Sequence, residues 1–186
     1  MTLATEQGFA ARVALGTIMR GWALAEQGQG EEGIVQIRQG LAGWRAAGSE
    51  VGRANYLSLL AEAYGKVGQT AEGLHVLAEA LAYAHTTGER CWEAELYRLK
   101  GELLLSLHPS SPAAPEECFY QALDIARRQQ AKSLELRAAM SLSRLWQQQG
   151  KRDEARKLLE PVYGWFTEGF NTASLQEANA LLEALR

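Results

Sequence analysis

Residues 48–73 read GSEVGRANYLSLLAEAYGKVGQTAEG, and this stretch decides the fold. Its first part is a helix-period segment that ends at Gly68, a residue type that commonly adopts the left-handed conformation after a helix. A short polar turn, Gln69 to Ala71, follows. A second segment then carries Leu74, Leu77 and Leu81 at the spacing of one helix face. The stretch therefore predicts a helix–turn–helix hairpin.

The same pattern recurs about every 40 residues along the chain. Similar segments begin at Gly8, Gly88 and Gln130, and a partial one begins at Gly169. We therefore expect one repeat domain over residues 1–186, with repeats over residues 8–47, 48–87, 88–129 and 130–168 and a capping helix over about residues 172–186. In the third repeat, three prolines within residues 109–115 replace the glycine turn. They predict a longer loop, with helix resuming at Pro115 or Glu116.

Composition supports an all-helical chain. Ala, Leu and Glu number 30, 27 and 20 of 186 residues, whereas Val, Ile and Thr together number 18, too few for a sheet-based fold. The net charge of −3 argues against a dedicated binder of nucleic acid or of an anionic membrane. Residues 1–7 lack the features of a signal peptide, and Cys91 and Cys118 are interpreted as reduced, buried thiols. These features predict a cytoplasmic protein.

Catalytic, metal and cofactor sites are not predicted. Gly28 to Gly33 fits G-x-G-x-x-G, but it joins two helices, whereas the dinucleotide-binding version follows a strand. The three histidines lie far apart in sequence, and His75 with Glu79 would supply two ligands where zinc needs three or four. Glu116 and Glu117 are adjacent in a first helical turn, so they favour the helix dipole and do not face each other as an acid–base pair. We therefore expect a non-enzymatic protein without a cofactor.

The repeats resemble the tetratricopeptide repeat (TPR) family. Leu60-Ala61-x-x-Tyr64-x-x-x-Gly68, followed by Leu77 and Ala80, matches the TPR hairpin, and Leu142-Ser143-x-x-Trp146-x-x-x-Gly150, followed by Ala155 and Leu159, matches it as well. The TPR unit is usually about 34 residues long, so these units have longer helices. The resemblance implies an all-α, right-handed α-solenoid of about four hairpins.

In TPR proteins, the first helix of each hairpin lines a concave groove. Projecting that register onto this chain gives a binding surface that begins apolar, becomes mixed in charge and ends basic. Its predicted residues are Leu15, Ile18, Trp22, Asn55, Ser58, Glu62, Glu95, Arg98, Glu102, Arg137, Met140, Arg144 and Gln147. The alternative is that these residues form ordinary solvated faces and pair with one another within the groove.

Three segments allow a narrower comparison: WEAELYRLKGELLL, ALDIARRQQAKSLELRAA and VYGWFTEGFNTASLQEA. They look like the C-terminal repeat region of large bacterial signalling proteins that carry a cyclase-like domain and an AAA-type ATPase domain. The resemblance implies a protein-interaction or regulatory module that binds a peptide, a protein or its own upstream domains. Small-molecule sensing and structural oligomerisation are the alternatives. The apolar N-terminal helix predicts a weak homodimer through the first hairpin.

Overall fold

The computed structural model describes residues 9–186, and this part of the chain contains nine α-helices and no strand. Residues 1–7, where a signal peptide was not expected, and Gly8, where repeat one was expected to begin, lie outside the described residues. The helices are α1 (Ala10–Glu26), α2 (Gly30–Ala46), α3 (Arg53–Lys66), α4 (Thr70–Thr87), α5 (Glu93–Leu107), α6 (Ala113–Arg128), α7 (Lys132–Gln148), α8 (Arg152–Tyr163) and α9 (Ala173–Ala184). The all-helical prediction is confirmed.

The helices divide into two compact units, one ending at Trp92 and the other beginning at Glu93. In the first unit, α1 packs on α2, α3 packs on α4, and α1 also contacts α3. In the second unit, α5 packs on α6 and α7 packs on α8, while α5 contacts α7 and α7 contacts α9. The described residues thus form four hairpins and a terminal helix. In each unit, the first helices of successive hairpins lie side by side and form what we call the first-helix face.

Left-handed residues separate the helices of the described chain at every junction except the one between α5 and α6. Gly68 has φ of 78°, and a left-handed φ also occurs in the described chain at Gly28, Gly48, Gly52, Gly88, Gln130, Gly150 and Gly169. Gln130 is the exception to glycine in this set, with φ of 54°. The residues at which repeats were inferred to start, 48, 88, 130 and 169, all belong to this set.

The proline-rich turn differs from its sequence interpretation at one end. Helix α6 begins at Ala113, two residues before Pro115, although helix was expected to resume at Pro115 or Glu116. Pro115 occupies the first turn of α6, where a backbone N–H has no partner within the helix, so its missing N–H costs nothing. The loop is correspondingly shorter than predicted.

Helices α1 and α2 approach each other closely in the core of the first unit, at positions occupied by glycine. A Cβ atom added to Gly21 of α1 would lie 2.7 Å from the carbonyl oxygen of Gly33 on α2, and one added to Gly40 would lie 2.6 Å from a side-chain carbon of Ile18. Ile18 and Ile37 are fully buried at this crossing. In the second unit, the ring of Phe119 packs so closely against Gly101 that a Cβ atom added to Gly101 would lie 2.5 Å from a ring carbon.

The two cysteines lie in different environments. Cys118 is buried, as expected, and burial raises the pKa of its thiol. Cys91 is exposed, so its interpretation as a buried thiol was wrong. It precedes α5 in a turn, where nothing packs over it closely enough to exclude solvent.

Candidate functional site

On the first-helix face of the first unit, Trp22 of α1 contacts α3. The Trp22 indole N–H donates a hydrogen bond to Oε2 of Glu62, 3.4 Å away, and the Trp22 side chain is 37% exposed. Leu15 and Asn55 are half-buried on the same two helices. This part of the predicted surface therefore offers an aromatic ring, a carboxylate and an amide to a partner.

Two predicted binding residues of this unit are core residues. Ile18 is fully buried, because Gly40 of α2 leaves room for its side chain between the helices. Ser58 is 2% exposed, and its hydroxyl donates to the backbone oxygen of Asn55 at 2.6 Å. Assigning these two side chains to a solvent-facing surface was wrong, since one packs between helices and the other is satisfied within its own helix.

A buried ionic network occupies the first-helix face of the second unit. Arg98 of α5 pairs with Glu95 and Glu102 on the same helix, and both the Arg98 and Glu95 side chains are 6% exposed. Burial opposes the charge of Arg98, but the hydrogen bonds and charges of Glu95 and Glu102 outweigh that effect and raise the Arg98 pKa. The arginine is therefore held permanently cationic.

The same network connects α5 to α7. Arg137 Nη2 lies 3.0 Å from Oε1 of Glu95, and the Ser141 hydroxyl donates to Oε1 of Glu102 at 2.8 Å. Met140 of α7 is 3% exposed and belongs to the hydrophobic core. Glu95, Arg98 and Met140 are thus buried, and Arg137 is neutralised by a carboxylate. The expected basic end of the surface is not formed here.

An accessible recess lies further along this face, between α7 and α9. Arg144 of α7 pairs with Glu177 of α9 at 3.0 Å, and both side chains are substantially exposed. Gln147 donates to the backbone oxygen of Ala184 at 3.4 Å. The recess has a volume of about 470 Å³, and its other lining residues are Gln148, Ala180 and Leu181. Arg144 and Gln147, both named from the repeat register, therefore lie together in one recess.

Sequence reasoning missed the contribution of α9 to this recess. Glu177 was interpreted only as part of a capping helix. Its position follows from the repeat, because α9 occupies the place of a fifth first helix beside α7. The spacing of Glu95, Arg98 and Glu102, three and four residues apart, was likewise a signal for mutual pairing along one helix face.

The residues considered above for cofactor binding or acid–base chemistry have structural roles in turns and at helix ends. Gly28 ends the turn after α1 and Gly30 begins α2, so G-x-G-x-x-G is an interhelical turn. Glu116 lies in the first turn of α6 and accepts a hydrogen bond from the Trp146 indole at 2.8 Å. Within residues 9–186, no three His, Cys, Asp or Glu side chains are grouped so that they could hold a metal ion.

No helix in the described part of the chain combines the length and apolarity that crossing a membrane requires.

No protein-family profile and no curated protein sequence matches this chain. Among solved structures, it is similar to the nearly identical TPR-like repeats of a candidate kinesin light chain from Podosopora anserina, with a TM-score of 0.66 and 19% identity over 95% of this chain and 86% of the other. A second structure of that protein, a variant in which one glutamine is replaced by methionine, gives a TM-score of 0.65 and 20% identity over 95% and 94% of the two chains. The fold is therefore that of TPR-like helical repeats.

Proposed function

We propose that this chain is a non-enzymatic protein-interaction module that binds a peptide or a neighbouring domain on the first-helix face of each unit. The recess between α7 and α9 carries the proposal. Its polar groups, Arg144, Gln147 and Glu177, are held by exposed contacts that contribute little to stability, since surface ion pairs are worth about 0–1 kcal/mol. A partner carboxylate can therefore replace Glu177 at Arg144 at small cost.

The first unit supplies a separate candidate surface in this proposal. Trp22 presents an amphipathic ring beside Glu62, and aromatic side chains are among the residues that contribute most to binding energy at interfaces. Glu95, Arg98 and Arg137 hold α5 and α7 together and are assigned a supporting role. Recognition by each unit then depends on its own residues. These are Trp22, Asn55 and Glu62 in the first unit and Arg144 and Gln147 in the second.

The proposed setting is a larger bacterial, cytoplasmic signalling protein in which the module binds its own upstream domains or a partner protein. The resemblance of WEAELYRLKGELLL, VYGWFTEGFNTASLQEA and the intervening segment to the repeat region of cyclase-like and AAA-type ATPase proteins supports this setting. The competing functions are a small-molecule sensor and a structural oligomerisation element. Neither of them requires a peptide to bind at Arg144.

Peptides selected against the full chain from a random displayed library test the recognition surface. We expect selected peptides to lose at least about tenfold in affinity with Arg144→Glu, because a repulsive charge would replace the anchor for a carboxylate. Trp22→Ala should weaken peptides that bind the first unit. Lys157→Glu makes the same charge change on an exposed residue of α8, away from the first-helix face, and should leave affinity unchanged. Equal binding to all variants would reject the surface.

A further inference from the structure

A cleft in the first unit lies on the side of α3 away from α1. Helices α2 and α4 flank α3 but make no direct backbone contact within the described residues, so a gap remains between them. The gap has a volume of about 700 Å³, within the range of about 300–1,000 Å³ typical of small-ligand sites. Its apolar lining includes Leu41, Leu57, Leu60, Tyr64 and Val76.

Several of the charged groups around the cleft already have partners. Arg53 pairs with Glu50 at 3.1 Å and with Glu79 at 2.7 Å. Arg45 lies in the last turn of α2 and Glu72 in the first turn of α4, so each is complemented by its own helix dipole. Among the arginines that line the cleft, Arg38 differs in having neither a carboxylate partner among residues 9–186 nor a place at a helix end.

Arg38 is positioned to receive an anion. It lies in the middle of α2, and its Nη1 donates to the hydroxyl oxygen of Tyr64 on α3 at 3.3 Å. In the described part of the chain, no carboxylate lies within ion-pair distance of the Arg38 guanidinium, so its remaining N–H groups have no anionic acceptor. The Tyr64 hydroxyl accepts from Arg38 and can still donate its own proton. A carboxylate can therefore bind both groups above an apolar floor.

The equivalent positions in the second unit have different side chains. Gly68 and Gly150 align the two units with an offset of 82 residues, which pairs Tyr64 with Trp146 and Arg38 with Tyr120. Tyr120 and Trp146 contact each other edge to face with ring centroids 6.2 Å apart, and Trp146 also bonds to Glu116. Two aromatic rings thus meet where the first unit has a cation beside an open cleft. The cleft is a local departure from the repeat and does not follow from the repeat fold.

We propose that the cleft between α2 and α4 binds a small organic carboxylate with an aromatic or branched apolar body. Its carboxylate pairs with Arg38 and accepts from the Tyr64 hydroxyl, and its body lies on Leu57 and Leu60. The site uses α2, α3 and α4 rather than the first-helix face, so it stands or fails independently of the peptide surface proposed above.

Matched probes can test the proposed chemistry on the full chain. The probes are 3-phenylpropionate, 3-phenylpropanamide and 3-phenylpropylamine, which share a body and differ in head-group charge. Titrations would follow affinity by calorimetry and the indole signal of Trp44, a cleft residue assigned with Trp44→Phe, by NMR. We expect saturable binding of the carboxylate with a Kd of about 1 mM or lower, and about tenfold weaker binding of the amide and the amine.

Variants of Arg38 locate the binding. Arg38→Gln removes the charge but keeps a donor for Tyr64, and Arg38→Tyr installs the side chain found at the equivalent position of the second unit. Both should weaken carboxylate binding about tenfold or more with helicity unchanged. Arg128→Tyr, at an exposed position on α6, is the matched control and should bind as the parent does. Absence of binding, equal affinity for all three probes, or equal affinity in Arg38→Tyr and Arg128→Tyr would overturn the proposal.

Discussion

Arg98 donates hydrogen bonds to both carboxylate oxygens of Glu95, from Nε to Oε2 at 2.9 Å and from Nη2 to Oε1 at 2.6 Å. Arg137, on the neighbouring helix α7, reaches Oε1 of the same carboxylate at 3.0 Å. Glu95 therefore joins two cations from two helices while 6% exposed. We expect this carboxylate to stabilise the second unit, because removing its charge would leave a buried guanidinium without full compensation.

We expect Glu95→Gln to lower the free energy of unfolding by about 3 kcal/mol, the lower end of the range for breaking a buried ion pair. Chemical denaturation of the full chain would measure the loss. Asp124→Asn is the matched control, because Asp124 pairs with Arg128 in a contact whose two side chains are 68% and 69% exposed. That control should change stability by less than about 0.5 kcal/mol. Equal losses in both variants would contradict the assigned role of Glu95.

Glu135 makes stability depend on pH. Burial acts to raise the pKa of this carboxyl group, but hydrogen bonds from Lys132 and Arg127 outweigh burial and lower it below its ordinary value of 4.5. A pKa that is lower in the folded state contributes stability above the unfolded-state pKa, and that stability is lost as pH falls through the folded-state value. The contribution of Glu135 should therefore be complete at neutral pH and decline on acidification below about pH 4.5.

The free energy of unfolding, measured across this acid range, should decline less steeply with falling pH for Glu135→Gln than for the parent. Lys132→Gln removes one of the two donors and should give an intermediate slope, because Arg127 still contacts the carboxylate at 2.9 Å. Parallel curves for the parent and Glu135→Gln would show that this group does not contribute to the pH dependence.

The helical repeat could be predicted because its signals are local. Gly28, Gly68 and Gly150 end helices by their own conformational preference, and all three have φ between 78° and 84°. The alternation of apolar positions between such residues then fixes which segments are helices. These features need no knowledge of which helices touch.

The candidate surface could be predicted only in part, because side-chain direction depends on the neighbouring helix. Ile18 and Trp22 lie one turn apart on α1 and belong to the same apolar stripe. Gly40 admits Ile18 into the interface with α2, whereas Trp22 remains partly exposed beside Glu62. Periodicity cannot distinguish the two residues. Arg144 was predicted from repeat register, but its partner Glu177 is 33 residues away and required the placement of α9.

The approach of α1 to α2 at Gly21 gives a further prediction for stability. Gly→Ala in an exposed helix normally stabilises by about 1 kcal/mol. At Gly21, the added Cβ would lie 2.7 Å from a backbone oxygen of Gly33, so the helices must move apart. We expect Gly21→Ala to destabilise the chain by about 1–3 kcal/mol, as measured by denaturant titration.

Gly43→Ala provides the comparison on α2, since its added Cβ would approach the Ala14 side chain at 3.3 Å and no backbone atom closely. Its effect should stay within about 1 kcal/mol. A stabilised Gly21→Ala variant would mean that α1 and α2 are farther apart than described.

Exposed apolar side chains on the first hairpin predict self-association. Phe9, Met19 and Trp22 are 54%, 36% and 37% exposed, and Met19 and Trp22 lie three residues apart on one side of α1. Exposed apolar clusters commonly mark interfaces, and two-fold pairing is the commonest closed assembly. We therefore expect a weak symmetric dimer, visible as a molar mass that rises with concentration in light scattering. Trp22→Glu should give a monomer with an unchanged helical signal, because the new carboxylate would be placed beside Glu62 in the contact.

Trp165→Glu is the control for this dimer, since Trp165 is 57% exposed and belongs to the second unit. That variant should associate as the parent does, because its substitution leaves the first hairpin unchanged. A parent chain that stays monomeric at high micromolar concentration would reject the dimer outright. Equal association of the parent and Trp22→Glu would place the contact away from α1, and Trp22 would then be left to the peptide-binding role proposed for the first-helix face.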